Sequence, residues 1–302
     1  MLTPYAAIIL AGGDGTRLRS LTQTLAGDDR PKQFCRLLGP ETPLEQTRRR
    51  ALMLVEAAQL LTVVTRAHER FYRPALVGVP PASLVVQPDN RGTAPAILLA
   101  LLRLETIAPT SPVVVLPSDH YVSDDAAFMA RVEGALEAIL ARPDLVVLLG
   151  IVPDRPEVEY GWIEPGDLML GSWPWPVYRV QRFWEKPGPA LARRLERQGC
   201  LWNSFVIVAH PATLIHLTLG AIPALGAAFG PVRARLGTPW EADAVRTAYA
   251  RLAPIDFSRD VLQRAAARLA VLPVSGLDWN DLGDPARVLA TQQRMHGVLV
   301  SA

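Results

Sequence analysis

The chain has 302 residues, of which 50% are apolar and 20% charged, and its net charge is +2, so it is long enough for a large core and too apolar for a disordered protein. Its basic residues are scattered, with "RRR" at 48–50 the only short run, which argues against nucleic-acid binding. No apolar run approaches the roughly 20 residues of a bilayer span and the first residues lack a signal-peptide pattern, so we expect a cytoplasmic protein without a membrane partner.

Strand and helix patterns alternate along the first half of the chain. Five short runs of apolar and β-branched residues predict strands, and the amphipathic stretches between them predict helices near residues 43–58, 93–107 and 124–141. The predicted strands are Ala6 to Leu10, Leu61 to Thr65, Leu84 to Gln87, Val113 to Leu116 and Leu145 to Ile151. This alternation predicts an α/β fold with a mostly parallel central sheet and helices on both faces, whose ligands bind at the carboxyl ends of the strands.

The pattern changes after Pro153. The segment "EPGDLMLGSWPWP", Glu164 to Pro176, is typical of turns. Later apolar runs predict strands at Tyr178 to Trp184, Phe205 to Val208 and Leu269 to Val274, with helices near 211–220, 240–252, 258–267 and from about 285. We expect one domain over residues 1–302, in which residues 153–302 extend the sheet of residues 1–152 and cover the ligand.

A glycine-rich loop follows the first predicted strand. The segment "LAGGDGTRL", Leu10 to Leu18, offers successive backbone N–H groups with little side-chain obstruction, a geometry that binds phosphate oxygens. It lacks the third glycine of the dinucleotide fingerprint and the Gly-Lys-Ser/Thr of the P-loop. The alternative is a tight turn between a strand and a helix. The sequence does not decide what Asp14 does inside an anion-binding loop.

Lysine is rare in this chain, whereas arginine is common. Of 31 basic residues only Lys32 and Lys186 are lysines. A triphosphate attacked at its α-phosphorus needs cations for the departing pyrophosphate. Arg17 offers a planar fork for two oxygens, and Lys32 offers a compact point charge. Because a surface cation in this chain is ordinarily an arginine, we predict a functional role for Lys32.

Two aspartates are candidate ligands of a metal ion. Asp119 comes at the end of the strand segment "VVVLPSDH", where a Mg²⁺ bound to phosphates would need one of its few protein ligands. Asp281, in the loop "LDWNDLGDP", is the expected second ligand. The alternatives are a helix N-cap or turn for Asp119 and a turn for Asp281.

The second lysine lies beside a carboxylate. In "FWEKPG", Glu185 can accept hydrogen bonds from sugar hydroxyls and Lys186 can hold the phosphate of a sugar 1-phosphate. The alternative is an exposed ion pair with little effect. Gly161 in "YGWIEPG" and Asn203 in "CLWNSF" add a glycine suited to close approach and an amide suited to hydroxyl recognition.

Taken together, these segments resemble the sugar-phosphate nucleotidyltransferases, and most closely the bacterial mannose-1-phosphate guanylyltransferases. The resemblance covers nearly the whole chain, and its segments occur in the order of the family. They are "LAGGDGTRL", "RPKQF", "LEQTRRR", "HERF", "QPDNRGTAPA", "LPSDH", "YGWIEPG", "FWEKP", "LWNSF" and "DWNDLG".

The resemblance implies a Rossmann-like nucleotidyltransferase fold and a Mg²⁺-dependent reaction of a nucleoside triphosphate with a sugar 1-phosphate. The products are an NDP-sugar and pyrophosphate. It implies catalytic roles for Arg17, Lys32 and Asp119, and metal ligation by Asp119 and Asp281. It assigns nucleotide binding to residues 1–152, through Leu10, Ala11, Gly12, Gly13, Gly15, Thr16, Arg17, Gln87, Arg91, Gly92, Thr93 and Ala94. It assigns sugar-phosphate binding to residues 153–302, through Gly161, Glu185, Lys186 and Asn203.

The sequence also departs from the family pattern. Gly92 stands where the family usually has asparagine, Phe205 where it has glycine and Val261 where it has glutamate. These departures concern the identity of the base and the sugar. We expect GTP and mannose 1-phosphate, and the alternatives are UTP or dTTP with glucose 1-phosphate, or a non-catalytic nucleotide-sugar sensor. No β-helix or isomerase domain is expected within the chain, and a homodimer is left open.

Overall fold

The computed structural model describes residues 5–170 and 175–300, with side chains through residue 295. Its strands are β1 Ala6–Leu10, β2 Leu60–Thr65, β3 Leu84–Gln87, β4 Val113–Pro117, β5 Tyr121–Val122, β6 Val146–Ile151, β7 Gly161–Leu170, β8 Val177–Glu185, β9 Leu201–Ala209, β10 Leu269–Val274 and β11 Trp279–Asn280. Its α-helices are α1 Arg19–Ala26, α2 Pro43–Ala51, α3 Glu69–Ala75, α4 Thr93–Ile107, α5 Asp125–Ala141, α6 Pro189–Arg197, α7 Pro211–Ala221, α8 Pro223–Arg233, α9 Glu241–Ala250 and α10 Pro285–Val300.

Nine strands form one central sheet in the order β3-β2-β1-β4-β9-β6-β10-β8-β7. Strands β3, β2, β1 and β4 are parallel to one another, as is β10 to β6. Strands β7, β8 and β9 join antiparallel, and β7 also pairs with β9. The second part of the chain therefore adds strands to the sheet of the first part, and β5 and β11 form a separate two-stranded ribbon.

The sheet is covered by helices on both faces, as predicted. Along β1, Ala6 and Ile8 pack into a core with residues of α4, α7, α8 and α9, whereas Ala7 and Ile9 pack into a core with residues of α2, α5 and α6. Successive side chains of a strand point to opposite faces, so a strand buried on both sides is continuously apolar. No helix within the described ranges is long and apolar enough to cross a membrane.

Local sequence explains where several helices begin. Helix α2 starts with a capping box, in which the Thr42 hydroxyl accepts from the Glu45 backbone N–H and the Glu45 carboxylate accepts from the Thr42 backbone N–H. Helix α5 starts where the Asp124 carboxylate accepts a hydrogen bond from the Ala127 backbone N–H, at 2.8 Å.

Four helices were not predicted, and one turn prediction was wrong. Helices α1, α3, α6 and α8 are additional, and the predicted helix over 258–267 is a π-turn at Ser258–Leu262 followed by a 3₁₀ turn. The residues 164–170, predicted as turns, belong to strand β7. Pro165 is tolerated there because the β7–β8 register shifts on both sides of it, where a regular ladder donor is not required. Residues 171–174 of that prediction lie outside the described residues.

The topology brings two groups of loops to one edge. Strands β1 and β4 are in register, so the segments after Leu10 and after Pro117 leave the sheet side by side, and the Ser118 N–H donates to the Leu10 carbonyl. On the other side, Gly161 of β7 lies opposite Glu185 of β8. The carboxyl edge of the sheet is therefore where the predicted site residues meet.

Candidate active site

Two polar side chains donate hydrogen bonds to the backbone carbonyls of the glycine loop. The buried Gln33 donates through Nε2 to the carbonyls of Ala11 (3.0 Å) and Gly13 (2.8 Å), and the Thr65 hydroxyl donates to the carbonyl of Gly12 (2.8 Å). Three successive carbonyls are thus fixed, and the loop has one defined shape. Neither Gln33 nor Thr65 was assigned a role from the sequence, although Gln33 follows Lys32 directly.

Two glycines of the loop are required by geometry. A Cβ at Gly12 would lie 2.5 Å from Nε2 of Gln87, and Gly15 has φ +60° with Lys32 N 3.0 Å from the position of a Cβ. A Cβ at Gly13, by contrast, would meet no atom within 4 Å. Glycine is therefore required by the surrounding atoms at positions 12 and 15, and not at position 13.

Asp14 connects this loop to a second loop. Its Oδ2 accepts a hydrogen bond from Asn90 Nδ2 at 2.8 Å, and its Oδ1 lies 3.4 Å from Nε2 of His68. Asn90 in turn accepts a hydrogen bond from the Gly92 N–H through Oδ1, at 3.0 Å. The acid inside the glycine loop is therefore a tether to residues 90–92, a role that sequence reasoning did not provide.

A small cavity of about 230 Å³ brings three predicted catalytic residues together. It is lined by Gly15, Thr16, Arg17, Leu18, Lys32, Asp119 and Gly283. The Lys32 ammonium donates to the carbonyls of Asp281 (2.7 Å) and Leu282 (3.0 Å) and lies 3.1 Å from Oδ2 of Asp119. Lys32 is thus enclosed by three oxygens, and its side chain is only 12% exposed.

Arg17 forms an ion pair with Glu159. Its guanidinium lies 3.1 Å from the carboxylate of Glu159, and both side chains are about half exposed. Glu159 belongs to the segment before β7, in the second part of the chain. The predicted triphosphate-binding arginine therefore has a carboxylate partner of its own.

Asp281 is positioned by a buried arginine. Its Oδ1 accepts from Arg287 (2.8 Å), from the Tyr160 hydroxyl (3.0 Å) and from the Gly283 N–H (2.9 Å). Arg287 also lies 3.1 Å from the carboxylate of Glu157. Burial by itself would raise the pKa of Asp281, but Lys32 and Arg287 outweigh it and hold that pKa below its ordinary value. The sequence carried no signal for Arg287, which lies on a helix with no motif.

The donor set suits a magnesium ion that completes its shell with substrate oxygens. The described part of the chain has no cluster of three or more His, Cys, Asp or Glu side chains placed to hold a metal. Asp119 lines the small cavity and also a larger cavity next to it. Oδ2 of Asp281 lies 2.6 Å from where a Cβ of Gly283 would be, and Gly283 lines the small cavity. One or two carboxylates beside a phosphate site fit Mg²⁺, which keeps water and phosphate oxygens as its remaining ligands.

A larger cavity of about 560 Å³ adjoins the first through Asp119. Of the predicted nucleotide residues it contains Leu10, Gly12, Gly13, Gln87, Gly92 and Thr93, and of the predicted sugar residues it contains Glu185. Three predicted nucleotide residues line neither cavity, namely Ala11, Arg91 and Ala94. Arg91 lies 3.8 Å from Asp89, and the Ala94 N–H donates to the Ile255 carbonyl. The cavity also contains residues 254–256, 258 and 259, which were not predicted.

Gly92 allows the segment around Ile255 to close one wall of this cavity. Gly92 has φ +84°, and a Cβ there would lie 2.3 Å from the Ile255 carbonyl oxygen. The Ile255 N–H donates to Arg91 O (2.9 Å), the Ala94 N–H donates to Ile255 O (3.2 Å), and the Phe257 N–H donates to the Thr93 hydroxyl (2.8 Å). The departure from the family's asparagine at position 92 therefore has a structural reason.

Three of the four predicted sugar-phosphate residues lie together. A Cβ at Gly161 would lie 3.0 Å from Glu185 Oε2 and 3.2 Å from the Asn203 Cβ. Glu185 Oε2 is buried without a hydrogen-bond partner, and burial together with the charge of Asp256 raises the pKa of Glu185 to about 7. Lys186 is the exception, because its side chain is exposed. Of these four residues only Glu185 lines the large cavity.

Three described residues other than glycine have a left-handed backbone. They are Lys186 (φ 48°), Phe205 (φ 59°) and Leu282 (φ 47°). Each lies within two residues of a predicted ligand residue, namely Glu185, Asn203 or Asp281. Backbone strain in this molecule is therefore concentrated at the carboxyl edge of the sheet, as is common at functional sites.

Comparisons with known proteins identify the family to which this chain is similar. A family model described as "Nucleotidyl transferase" matches residues 6–216. The xanthan biosynthesis protein XanB of Xanthomonas campestris pv. campestris is 32% identical over 294 residues, which cover 95% of this chain and 59% of that protein. The mannose-1-phosphate guanylyltransferase of Escherichia coli (strain K12) is 34% identical over 202 residues, which cover 65% of this chain and 41% of that protein. The chain thus spans about half the length of these two relatives.

A solved structure shows the same architecture. The mannose-1-phosphate geranyltransferase from Thermus thermophilus superposes with a TM-score of 0.78 at 34% identity, covering 93% of this chain and 76% of that one. This agreement confirms the predicted fold class.

Proposed function

Because the chain belongs to the nucleotidyl transferase family, we propose that it transfers a nucleoside monophosphate from a nucleoside triphosphate to a sugar 1-phosphate. The observation that carries the proposal is the pair of adjoining cavities that share Asp119, one with the cations Arg17 and Lys32 and the other with Gln87 and Glu185. The names of the relatives favour GTP and mannose 1-phosphate as the substrates.

The proposed reaction is a displacement at the α-phosphorus. A phosphate oxygen of the sugar 1-phosphate forms the new bond, and the bond from the α-phosphorus to the bridging oxygen of the pyrophosphate breaks. The nucleophile is already ionised at neutral pH, so no general base is required. Catalysis then depends on alignment and on neutralising the charge of the leaving group.

Lys32 and Arg17 are the proposed cations for the triphosphate and the departing pyrophosphate. Both are partnered in the free chain, Lys32 by Asp119 and two carbonyls and Arg17 by Glu159. Binding of a triphosphate would replace these acidic partners with phosphate oxygens. Gly12, Gly13 and Gly15 would let the backbone approach the phosphates closely.

Asp119 and Asp281 are the proposed ligands of Mg²⁺. When bound, this ion would neutralise charge on the phosphates beside the small cavity. Arg287 and Tyr160 would keep Asp281 in place by their hydrogen bonds to its Oδ1. Gly161, Glu185 and Asn203 would bind the sugar, and Lys186 would bind its phosphate from the exposed side of the site.

A substrate panel tests the proposal. The protein is incubated with Mg²⁺, with GTP, UTP, dTTP, ATP or CTP, and with the 1-phosphates of mannose, glucose and related sugars, and pyrophosphate release is measured. We expect release with GTP and mannose 1-phosphate. A preference for UTP or dTTP with glucose 1-phosphate would overturn the guanylyl assignment. Silence for every pair would overturn the catalytic proposal and favour a nucleotide-sugar sensor of the same fold.

A further inference from the structure

A buried hydrogen bond lies at the floor of the large cavity. Gln87 ends strand β3 and is 2% exposed, and Tyr249 on helix α9 is fully buried. The Tyr249 hydroxyl donates to Oε1 of Gln87 at 3.1 Å. Burial raises the pKa of Tyr249, so its hydroxyl stays protonated and remains a donor. The Tyr249 hydroxyl thus contacts a residue that lines the cavity without lining it itself.

The surroundings of Gln87 fix which way its amide faces. Nε2 of Gln87 and the Thr65 hydroxyl oxygen lie 2.5 Å and 2.9 Å from the same point, the position of a Cβ on Gly12. The Thr65 hydroxyl hydrogen is already donated to the Gly12 carbonyl, so Thr65 has none to offer an acceptor on this side. A reversed amide would turn Oε1 toward this side, where that hydroxyl cannot donate to it. Oε1 lies on the Tyr249 side and Nε2 on the side of the glycine loop, so the amide N–H₂ is the group that faces the loop and the cavity.

This orientation has a chemical consequence for bases. Among the described residues none accepts a hydrogen bond from Nε2 of Gln87, so the donor is available to a ligand. Guanine O6 and the O4 of uracil or thymine are acceptors, whereas the N6 of adenine and the N4 of cytosine are donors. A fixed N–H donor therefore favours guanine, uracil and thymine. With adenine or cytosine it would face another donor, and neither group would have a hydrogen-bond partner.

We infer that Tyr249 is a specificity-determining positioning residue, which holds the Gln87 amide so that bases with a carbonyl at this edge bind in preference to bases with an amino group. The inference rests on the proposed function only in taking the large cavity as the place where the nucleotide base binds. It concerns binding and not the chemical step.

Direct titration of nucleotides tests this inference independently of catalysis. The dissociation constants of GTP and ATP are measured by calorimetry for the wild type, Tyr249→Phe and the matched control Tyr72→Phe. Tyr72 is also a buried tyrosine, but it lies away from the large cavity. We expect the ratio of the ATP to the GTP dissociation constant to fall about fivefold in Tyr249→Phe, the scale of one hydrogen bond, and to stay unchanged in Tyr72→Phe.

Gln87→Glu provides a second test should Tyr249→Phe fail to fold. Its carboxylate is an acceptor only, so the preference should move toward ATP and CTP. An unchanged ratio in a folded Tyr249→Phe, an equal loss in Tyr72→Phe, or an unmoved preference in Gln87→Glu would overturn the inference. Selective binding by a wild type that releases no pyrophosphate would overturn the catalytic proposal and leave this inference standing.

Discussion

The two lysines of the chain lie in opposite kinds of surroundings. Lys32 is enclosed by two carbonyls and the carboxylate of Asp119. Lys186 is exposed, and its side chain makes no hydrogen bond or ion pair with any described residue. Next to it, Glu185 has a buried carboxylate oxygen without a partner. The proposed phosphate side of the site is therefore already paired within the free chain, whereas the proposed sugar side has polar groups that a ligand would have to satisfy.

In the proposed function, this difference between paired and unpaired polar groups separates the sites of the two substrates along one edge of the sheet. On the phosphate side, the cations Lys32, Arg17 and Arg287 all have carboxylate partners within the chain. In the proposed function, phosphate binding there would exchange one anion for another and would require little reorganisation. On the sugar side, binding would form hydrogen bonds that the free chain lacks, so specificity for hydroxyl groups should arise there.

The largest effect is expected from changing the shape of the enclosed cation. In Lys32→Arg, the planar guanidinium would not fit among three oxygens that surround a point charge, so kcat should fall by about tenfold or more while nucleotide binding changes little. Lys186→Arg is the matched control, because an exposed side chain accommodates the longer fork, and its kcat should change by less than about threefold. Steady-state pyrophosphate release measures both. Equal losses in the two variants would remove the distinction between the two surroundings.

A smaller effect is expected from adding a side chain at Gly92, where the backbone packs closely against Ile255. Gly92→Ala would place a Cβ 2.3 Å from the Ile255 carbonyl oxygen at a positive φ, so the melting temperature should fall by about 5 °C. Gly188→Ala, near the exposed lysine, meets no atom within 4 Å and should melt within about 1 °C of the wild type. Thermal melts followed by circular dichroism compare the two. A stable Gly92→Ala would mean that the Ile255 segment is not held as tightly as its hydrogen bonds indicate.

The smallest effect concerns Glu185 and pH. The pKa of Glu185 is raised from 4.5 to about 7 in the folded chain, first by burial and then by Asp256. The folded state therefore holds a proton that the unfolded state releases between pH 4.5 and 7, and stability falls as pH rises through this window. Glu185→Gln has no carboxyl group at this position and should not lose stability in this way. The difference in melting temperature, variant minus wild type, should therefore increase by about 2 °C between about pH 5 and about pH 8.

Glu164→Gln is the control for this experiment, since Glu164 is a partly buried carboxylate on β7 outside the large cavity. A pH dependence confined to Glu185→Gln would assign the effect to the carboxylate at position 185. If the melting-temperature difference between Glu185→Gln and the wild type did not vary with pH, the charge of the unpartnered carboxylate would have no effect on stability.

The sequence predicted the parallel half of the fold almost completely, because β1 and β10 are continuous apolar runs and β3 is apolar up to its last residue, Gln87. It missed β7 because Pro165 and Gly166 normally end a strand, and only the pairing with β8 accommodates them. It placed Lys32 and Asp119 near each other through their motifs. It could not find Arg287 or Tyr249, because both lie on helices without a motif. Their contacts with Glu157 and Gln87 join distant parts of the chain, and local patterns do not record such contacts.

The left-handed backbone at Lys186, Phe205 and Leu282 bears on how this chain could be made more heat-resistant. Replacing such a residue with glycine relieves strain of the order of 1 kcal/mol, but it also removes whatever the side chain packs against. Leu282 is buried, and the ring of Phe205 packs edge-on against Phe257 at 6.3 Å. Of the three, only Lys186 is exposed, so glycine would relax the backbone there without losing packing. That residue is also the proposed phosphate ligand, so selection for durability and selection for activity oppose each other at this position.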